Sequence, residues 1–596
     1  MTAMFAGVRA SAGRAGSAET GAGGGNDAGR ASFASRLVSD VLVIVGVLAL
    51  FGVIAWVLPD VTASTGPSGP PSEISTDPSH LPYYALRSVL RMAIALLFSL
   101  IFTFLYGLAA ARLRRVGKVL VLLLDILQSV PVLGFLSATI TIWLTLFPHS
   151  MLGVEAASIF AIFTSQAWNM TFSFHHSLLS EPQELDEAAR SFRLTRWQRF
   201  WKLDVPNSAI PLLWNCMMSV SGGWFFLTAS EMISVNNATY ALPGIGSYVE
   251  QAAARQEVGH IGLAILTMVV VVLLIDVLVW RPLIVWSQKF RNEQSSAEGP
   301  RSSLVLTVIR RSHFDDLMGH VFRPIGDVLD VITRPLGRTG SRWPADASKR
   351  RTGDTVFTAA CWALLVAGAV ALGVAIHRGP GFAELGRAFA DGGLTFLRVA
   401  LLTLVCSAIW VPIGATIGMK PKLSRALQPV IQVLASFPAN FIFPFATLLF
   451  VAWNVDINWG SILLMALGSQ WYILFNVIAG ASAIPSDLEE MTRSMGVRGP
   501  LRWRTLILPS VFGAWCEGGI TAAGGAWNAS IVSEIVTYGN HTLVAKGLGS
   551  YITEATQRGD APRIIIGVAV MSAIVVAVNR VFWQPLQRLA SRRFSL

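Results

Sequence analysis

Apolar side chains in this chain form continuous runs rather than alternating patterns. The runs that are long enough to cross a bilayer lie near 38–58, 85–111, 117–147, 153–175, 208–231, 259–282, 355–377, 392–416, 424–453, 460–482, 510–535 and 562–584. A membrane-spanning helix needs about 20 apolar residues, whereas membrane-spanning strands would alternate apolar and polar positions. The pattern therefore predicts an all-α polytopic membrane protein with about 12 transmembrane helices.

Composition supports this class and excludes others. Of the 596 residues, 53% are apolar and 14% are charged, which is more apolar surface than a soluble core can bury. The formal net charge of +11 does not indicate nucleic-acid binding, because Lys and Arg concentrate in short loops beside apolar runs, as cytoplasmic anchors do. The four cysteines lie in or beside apolar runs without a CxxC pair, so neither a zinc site nor a disulfide is expected.

The distribution of basic residues orients the chain. Arg112, Arg114, Arg115 and Lys118 mark one cytoplasmic turn, whereas residues 60–82 contain no Lys or Arg and are predicted to be external. This places both termini in the cytoplasm. Residues 1–36, rich in Gly, Ala and Ser, are predicted to be a disordered cytosolic tail. Residues 291–353 are predicted to be a basic cytosolic linker.

The chain contains an internal repeat. A separation of 303 positions joins Glu187 to Glu490 and Trp224 to Trp527, and one of 307 positions joins Arg91 to Arg398. Because each copy has six predicted spans and begins and ends in the cytoplasm, the copies are parallel repeats related by a pseudo-two-fold axis along the membrane normal. The first repeat covers 37–290 and the second 354–596, with a path expected along the axis.

Each repeat carries an amphipathic segment in the cytoplasmic loop between its fourth and fifth spans, at 177–206 and 484–509. A loop that only returns the chain needs a few polar residues. The aromatic side chains among basic ones instead indicate a helix that enters a groove on another protein. A helix resting on lipid headgroups is the alternative.

The spacing in these loops resembles a known signature. Glu-Ala-Ala, three residues, Gly, nine residues and Ile-x-Leu-Pro is the cytoplasmic motif of permease subunits in bacterial ABC importers. The second copy has Glu490, Gly496 and Pro509 at this spacing, whereas the first has Glu187 and Pro206 but Arg193 in place of Gly. That substitution puts the tightness of the first turn in question. The sequences GGAWNASIVSEI and GLGSY, and the fused duplication, are similar to permeases of the nitrate/sulfonate/bicarbonate type.

The resemblance implies a function for the loops. They would be coupling helices docked on two cytosolic ABC ATPase subunits, which would bind ATP and magnesium. A periplasmic or lipid-anchored binding protein would deliver a small anion to this permease, which would carry it across the bacterial inner membrane. Glu187, Arg190, Glu490 and Arg493 would supply polar anchoring, and Phe192, Trp201 and Met495 apolar contacts. The remaining residues of the motif are Ala188, Ala189, Pro206, Gly496 and Pro509. The chain has no GxxxxGK[ST] loop, so we expect it to be a transport subunit rather than an enzyme.

The fifth spans are the predicted lining of the path. An oxyanion needs N–H or O–H donors, which makes candidates of Trp224, Trp527, Asn528, Ser530, Gln166 and Gln470. Glu231 and Glu534 lie near the outer ends of the fifth spans, where solvation at the interface is the expected state of their carboxylates.

Three alternatives remain open at this point. Fused permeases for iron(III), thiamine or polyamines have the same kind of cytoplasmic coupling loop. A secondary transporter with 12 spans also has parallel six-span halves, but it gives no reason for two matched cytosolic segments. A membrane enzyme or signalling scaffold would need a His, Cys or Asp cluster at catalytic or ligand spacing, and the sequence shows none.

Overall fold

The computed structural model describes residues 25–64, 73–129, 132–235, 238–290, 304–333 and 381–593, with isolated positions between 359 and 377. The helices of the first repeat are α1 Gly25–Val61, α2 Leu81–Arg112, α3 Arg114–Ser129, α4 Val132–Leu146, α5 Met151–Leu179, α6 Gln183–Ser191, α7 Arg196–Arg199, α8 Val205–Glu231, α9 Ile245–Ala254, α10 Val258–Ile275 and α11 Arg281–Ser287. Strands β1 Met232–Val235 and β2 Ala238–Ala241 form an antiparallel hairpin after α8.

The linker contributes α12 Leu304–Arg311 and α13 Phe314–Thr333. The second repeat repeats the order of α2 to α11 with α14 Phe382–Gly418, α15 Pro421–Ser436, α16 Phe443–Ala452, α17 Ile457–Ser482, α18 Ser486–Ser494, α19 Gly499–Arg502, α20 Leu508–Ser533, α21 Leu548–Arg558, α22 Ala561–Val578 and α23 Gln584–Arg593. Its hairpin pairs β3 Ile535–Tyr538 with β4 His541–Val544. The element order thus confirms that the sequence repeat is a structural repeat.

Short π-helical segments lie at equivalent places in both repeats. Phe200–Asp204 joins α7 to α8 and Trp503–Ile507 joins α19 to α20, so each cytoplasmic loop runs without a break into a fifth span. Asp276–Trp280 and Asn579–Trp583 lie near the ends of the sixth spans. Such π segments are often found at functional sites.

Within the described residues, eight helices are long and apolar enough to cross a membrane, or nine if one bent pair counts as a span. The predicted count of 12 differs for three reasons. The third span of the second repeat is bent and that of the first is described only on either side of residues 130–131, the fourth span of the first repeat is less apolar than its neighbours, and the predicted span at 355–377 lies largely outside the described residues. Helix α1 begins at Gly25, inside the segment predicted as a tail.

The third span of the second repeat is two helices. Pro429–Ser436 and Ala439–Ala452 meet at 74°. Pro438 lies two residues after the end of α15, and a proline cannot donate the backbone hydrogen bond that would continue that helix. In the first repeat, the described helices α3 and α4 lie on either side of residues 130–131.

The fourth helix of each repeat is its central helix. Helix α5 packs between α2 and α8, and α17 packs between α14 and α20. This position explains why α5 is less apolar than a lipid-facing span, because polar residues such as Ser158, Gln166 and Thr171 are buried against protein. Their hydroxyl and amide groups find partners inside the bundle, as Ser158 does with Ser230 at 2.8 Å.

The described linker is folded against the first repeat. Helix α12 packs on α1, and the imidazole of His313 pairs with Asp40 of α1 at 2.9 Å. Helix α13 packs on α7, where the Gln198 amide donates to Asp330 at 3.3 Å. The first cytoplasmic loop therefore contacts a linker helix, α13, that lies outside both repeats.

Candidate functional site: a central cavity and two cytoplasmic segments

The first cytoplasmic segment is a helix, a tight turn and a second helix. Helix α6 ends at Ser191, and Arg193 then adopts a left-handed backbone with φ of 47°. The amide of Leu194 donates back to the carbonyl of Ala189 at 3.1 Å, which closes the helix end. Thr195 caps α7 with its hydroxyl and starts the chain towards α8.

The second segment has the same geometry on a different sequence. Gly496 is left-handed with φ of 70°, and the amide of Val497 donates to the carbonyl of Thr492 at 3.0 Å. Arg193 therefore makes the turn that Gly496 makes, although a side chain disfavours this conformation by about 1 kcal/mol or more. The question raised by the missing glycine is settled in favour of an equally tight turn.

Apolar side chains are exposed at both turns. Phe192 is 78% exposed and Met495 is 70% exposed, and Met491 on the same segment is 53% exposed. Glu187, Arg190, Glu490 and Arg493 are exposed around them. A large apolar side chain ringed by charges is typical of a surface that binds another protein.

The structure departs from the sequence prediction at two members of the motif. Trp201 packs inward against Phe200, with ring centroids 5.0 Å apart, and lies against the apolar core of the first repeat. Ala189 is 3% exposed because it faces the bundle. These two residues hold the segment in place, and among the predicted apolar contacts only Phe192 and Met495 are free to bind a partner. Met491 was missed, although it stands one turn before Met495 on the same helix.

A cavity of about 1000 Å³ lies between the two repeats. Its wall combines α3, α5 and α8 of the first repeat with α20, α22 and α23 of the second. Polar side chains on that wall are Gln128, Asn169, Ser173, His176, Asn215, Glu517, Thr521, Asn579, Gln584, Gln587 and Arg588. Because α20 begins at the second cytoplasmic segment, the cavity and that segment share one helix.

The predicted path residues separate into different environments. Trp527 lines the cavity, but Trp224, its partner in the repeat, is 1% exposed in the first core. Asn528 accepts from the Val132 amide at 2.7 Å and donates to the Gly524 carbonyl, so it anchors the start of α4 across the repeats. Ser530 and Gln166 are both fully buried.

Gln470 lies on the other side of α17. Its amide oxygen accepts from the indole of Trp410 on α14 at 3.0 Å, so it joins two helices of the second repeat. Of the six predicted path residues, Trp527 alone belongs to the described cavity wall. The sequence prediction identified the right helix, α20, but hydrogen-bonding capacity did not show which of its faces is open.

The prediction for Glu231 and Glu534 was wrong. Both residues are fully buried rather than solvated at an interface. Arg91 donates to Glu231 at 2.7 Å, and Arg398 donates to Glu534 at 2.8 Å. A buried carboxylate needs such a partner, because leaving it unpaired costs about 3–5 kcal/mol.

The buried carboxylates also explain the repeated GIG and GLG sequences. The amide of Gly246 donates to Glu231 at 2.6 Å, and a Cβ on Gly244 would lie 2.2 Å from the same carboxyl group. In the second repeat, a Cβ on Gly547 would lie 2.4 Å from the Glu534 carboxylate. Glycine is therefore needed for close approach, and each loop is tied to the top of a fifth span.

Glu155 was not identified from the sequence. It accepts from Arg91 at 2.6 Å and also pairs with Arg87, and it is 1% exposed. Its partners lie more than sixty residues earlier in the chain, so spacing could not reveal the cluster. The available signal was an acidic residue just inside an apolar run, with two arginines on another. Within the described residues, no group of three or more His, Cys, Asp or Glu side chains could hold a metal ion.

Comparison with known families identifies the class. The family described as binding-protein-dependent transport system inner membrane component matches residues 103–280 and 410–595, which is more than half of the chain. The chain belongs to this family and contains its domain twice, so it is a multi-pass inner-membrane permease. The resemblance inferred from the cytoplasmic motif is confirmed.

Several curated relatives are similar to this chain. The nitrate import permease protein NrtB of Synechococcus elongatus is 25% identical over 190 residues, covering 31% of this chain and 64% of the relative. The bicarbonate transport system permease protein CmpB of the same organism is 28% identical over 34% of this chain and 72% of its own length. The putative aliphatic sulfonates transport permease protein SsuC of Bacillus subtilis is 23% identical over 32% and 65%. The match thus spans less than two thirds of NrtB and SsuC.

Proposed function

We propose that this chain is the complete transmembrane part of a binding-protein-dependent ABC importer, with both permease domains on one polypeptide. The central cavity is the solute path, and the two cytoplasmic segments couple it to ATP hydrolysis. Two cytosolic ATPase subunits bind ATP and magnesium, and a periplasmic or lipid-anchored binding protein delivers the solute. Both termini lie in the cytoplasm.

The observation that carries this proposal is the continuity between the exposed turns and the cavity wall. Each segment passes through a π-helical stretch directly into a fifth span, and both fifth spans contribute to the cavity, α8 through Asn215 and α20 through Glu517 and Thr521. A displacement of the segments would therefore move the wall as a rigid body. Two matched segments provide two attachment points, one for each ATPase subunit.

A small anion is the proposed solute class. The names of three relatives refer to nitrate, bicarbonate and aliphatic sulfonates, and all three solutes are small anions. The cavity wall offers amide and indole N–H donors, including Asn169, Asn215 and Trp527, which can bind an oxyanion without a buried cation.

Charge reversal on both segments tests the coupling. The double variant Glu187→Lys with Glu490→Lys should reduce solute-stimulated ATP hydrolysis and uptake at least about tenfold, because two salt bridges or hydrogen bonds to the ATPase are replaced by repulsion. The assay uses proteoliposomes with the ATPase and binding protein that copurify with the chain, and radiolabelled nitrate, bicarbonate and an aminoalkanesulfonate as separate probes.

Arg558→Glu is the matched control, because it also reverses an exposed charge but lies on α21, outside the cytoplasmic segments. It should leave uptake unchanged. Wild-type uptake by the double variant would refute the coupling assignment. ATP-dependent uptake of none of the three anions, with coupling intact, would refute the solute class alone.

A further inference from the structure

The cavity lies beside α3, α5 and α20. By the repeat, the space between these helices corresponds to a space between α15, α17 and α8. The cavity at that second place has a volume of only about 40 Å³. We call the first space the open flank and the second the closed flank, and their volumes differ greatly although the helices around them correspond.

The side chains account for the difference. At six pairs of positions that correspond by the repeat separations, the open flank carries a polar side chain and the closed flank carries glycine or an apolar or aromatic side chain. In that order the pairs are Gln128 and Ala435, Asn169 and Tyr472, Asn215 and Gly518, Glu517 and Trp214, Thr521 and Met218, and His176 and Ala479. Ser173, Asn579 and Gln584 instead correspond to the polar Asn476, Asp276 and Arg281, so the flanks differ at the six pairs.

Tyr472 closes the second flank. Its hydroxyl oxygen lies so close to Gly222 that a Cβ there would be 2.3 Å away, and its ring lies against Gly525 of the other fifth span. The aromatic side chains of Phe225, Phe437 and Phe475 fill the rest of this space. Asn169, at the equivalent place on α5, is shorter and shares a hydrogen bond of 3.3 Å with Gln128, which leaves the open flank unfilled.

Glu517 determines the chemistry of the open flank. Its side chain is exposed to the cavity, and among the described residues no salt bridge involves its carboxylate. Arg588 and His176 line the same cavity, and His176 interacts electrostatically with Glu517, so the wall carries groups of both signs. A bare inorganic anion would be repelled by this carboxylate, whereas an N–H or O–H group on the solute would bind it.

We propose that solute passes through this chain on one flank only, along the surface formed by Gln128, Asn169, Asn215, Glu517 and Thr521, and that the solute is a small organic anion that also carries an N–H or O–H donor or a cationic group for Glu517. The amide N–H groups bind its anionic end. The proposal rests on the proposed function in taking the cavity as the path, and it narrows the solute class.

Cysteine accessibility tests the one-sided path without requiring transport. Cys216, Cys361, Cys406 and Cys516 are replaced by alanine in the full chain, and a single cysteine is introduced as Thr521→Cys or as Met218→Cys, the matched position on the closed flank. Inside-out vesicles are treated with the methanethiosulfonate reagents that carry trimethylammonium or sulfonate. Thr521→Cys should react at least about tenfold faster than Met218→Cys, because only its cavity admits the reagent.

The charge of the reagent tests the role of Glu517. When each rate is divided by the rate of the same reagent with a small free thiol, the cationic reagent should react about tenfold faster than the anionic one at Thr521→Cys, because a carboxylate in a narrow cavity concentrates cations. Adding Glu517→Gln should reduce this ratio to below about threefold, whereas Glu554→Gln, on the outer helix α21, should leave it unchanged.

The outcomes separate the two parts of the proposal. Equal reaction at Thr521→Cys and Met218→Cys, or no reaction at either, would overturn the one-sided path. A charge ratio that survives Glu517→Gln would overturn the solute class. Neither result depends on ATP, so failure of ATP-coupled uptake would refute the proposed function while leaving the accessibility pattern in place.

Discussion

In the first repeat, Arg87 and Glu155 complete a buried cluster around Arg91, whereas the equivalent positions in the second repeat carry Leu394 and Asn458. Arg398 still donates to Glu534, and it satisfies the rest of its guanidinium on the Asn458 amide oxygen at 2.6 Å. Relative to the first repeat, the second repeat therefore lacks one buried positive charge and one buried negative charge. The comparison teaches that the shared element is a single arginine–glutamate pair that holds the outer loop, and that the first repeat adds one charge of each sign, Arg87 and Glu155.

At the cytoplasmic end as well, the second repeat has fewer ion pairs than the first. In the first repeat, Arg199 pairs with Glu181 at 2.9 Å and with Asp186 at 2.5 Å, and Arg112 pairs with Asp204 at 2.7 Å. The second repeat retains the pair of Arg502 with Glu489, but it has Met419, Ile484 and Ile507 where the first has Arg112, Glu181 and Asp204. Apolar packing and an ion network thus support the same turn.

The largest expected effect follows from converting the outer cluster of the first repeat into that of the second. Arg87→Leu and Glu155→Asn should each lower stability by about 3 kcal/mol, because each leaves an opposite charge buried with too few partners. The double variant should cost less than the sum by about 1–3 kcal/mol, since it restores the charge balance seen in the second repeat. Unfolding of the detergent-solubilised chain, followed by tryptophan fluorescence, measures the difference.

Arg558→Gln, which breaks an exposed pair with Glu554, is the control and should change the unfolding midpoint little. If the double variant costs as much as the two single variants added together, the idea that these charges are exchanged as a balanced set is wrong.

A smaller effect is expected at the cytoplasmic end. Arg112→Met alone should destabilise the first segment, because it leaves the buried carboxylate of Asp204 with one long contact to Arg199 at 3.5 Å. The triple variant Arg112→Met, Glu181→Ile and Asp204→Ile copies the second repeat, and apolar replacement of a buried ion network is often neutral or stabilising by about 1–4 kcal/mol. The same unfolding assay applies, and a triple variant less stable than Arg112→Met would contradict the comparison.

The smallest effect concerns the two tight turns. Arg193→Gly should stabilise the first turn and Gly496→Ala should destabilise the second, each by about 1 kcal/mol, because only glycine adopts a left-handed backbone without strain. Hydrogen exchange of the amides of Leu194 and Val497, which close these turns, should slow about fivefold in the first variant and accelerate about fivefold in the second. Changes of the same sign in both would show that side-chain contacts, rather than φ, control the turns.

Much of the architecture could be predicted from the chain. The constant separation between Glu187 and Glu490 identified the repeat, and the spacing from Glu490 to Pro509 identified the family, because this motif is local in sequence. Exposure of Phe192 and Met495 followed from their place beside the turns. Trp201 was misjudged because an aromatic residue on an amphipathic segment faces either a partner or the chain's own core, and periodicity does not distinguish the two.

The cavity was less predictable. Trp224 and Trp527 occupy equivalent positions and both are buried, at 1% and 3% exposure, yet only Trp527 also borders the cavity. Asn528 is a strong donor and acceptor in isolation, but the Val132 amide at the start of α4 lies beside it and occupies its oxygen. Hydrogen-bonding capacity is a property of a residue, whereas availability depends on its neighbours.

The sequence alone determined that this is a duplicated helical membrane protein with a matched amphipathic segment in each repeat, since hydropathy, charge distribution and motif spacing all act over short stretches of chain. Only the tertiary structure decided that Glu231 and Glu534 are buried partners of arginines, and that the open flank holds a cavity while Tyr472 fills the closed flank. Those features depend on contacts between residues tens to hundreds of positions apart, where burial and free volume are set by packing rather than by local pattern.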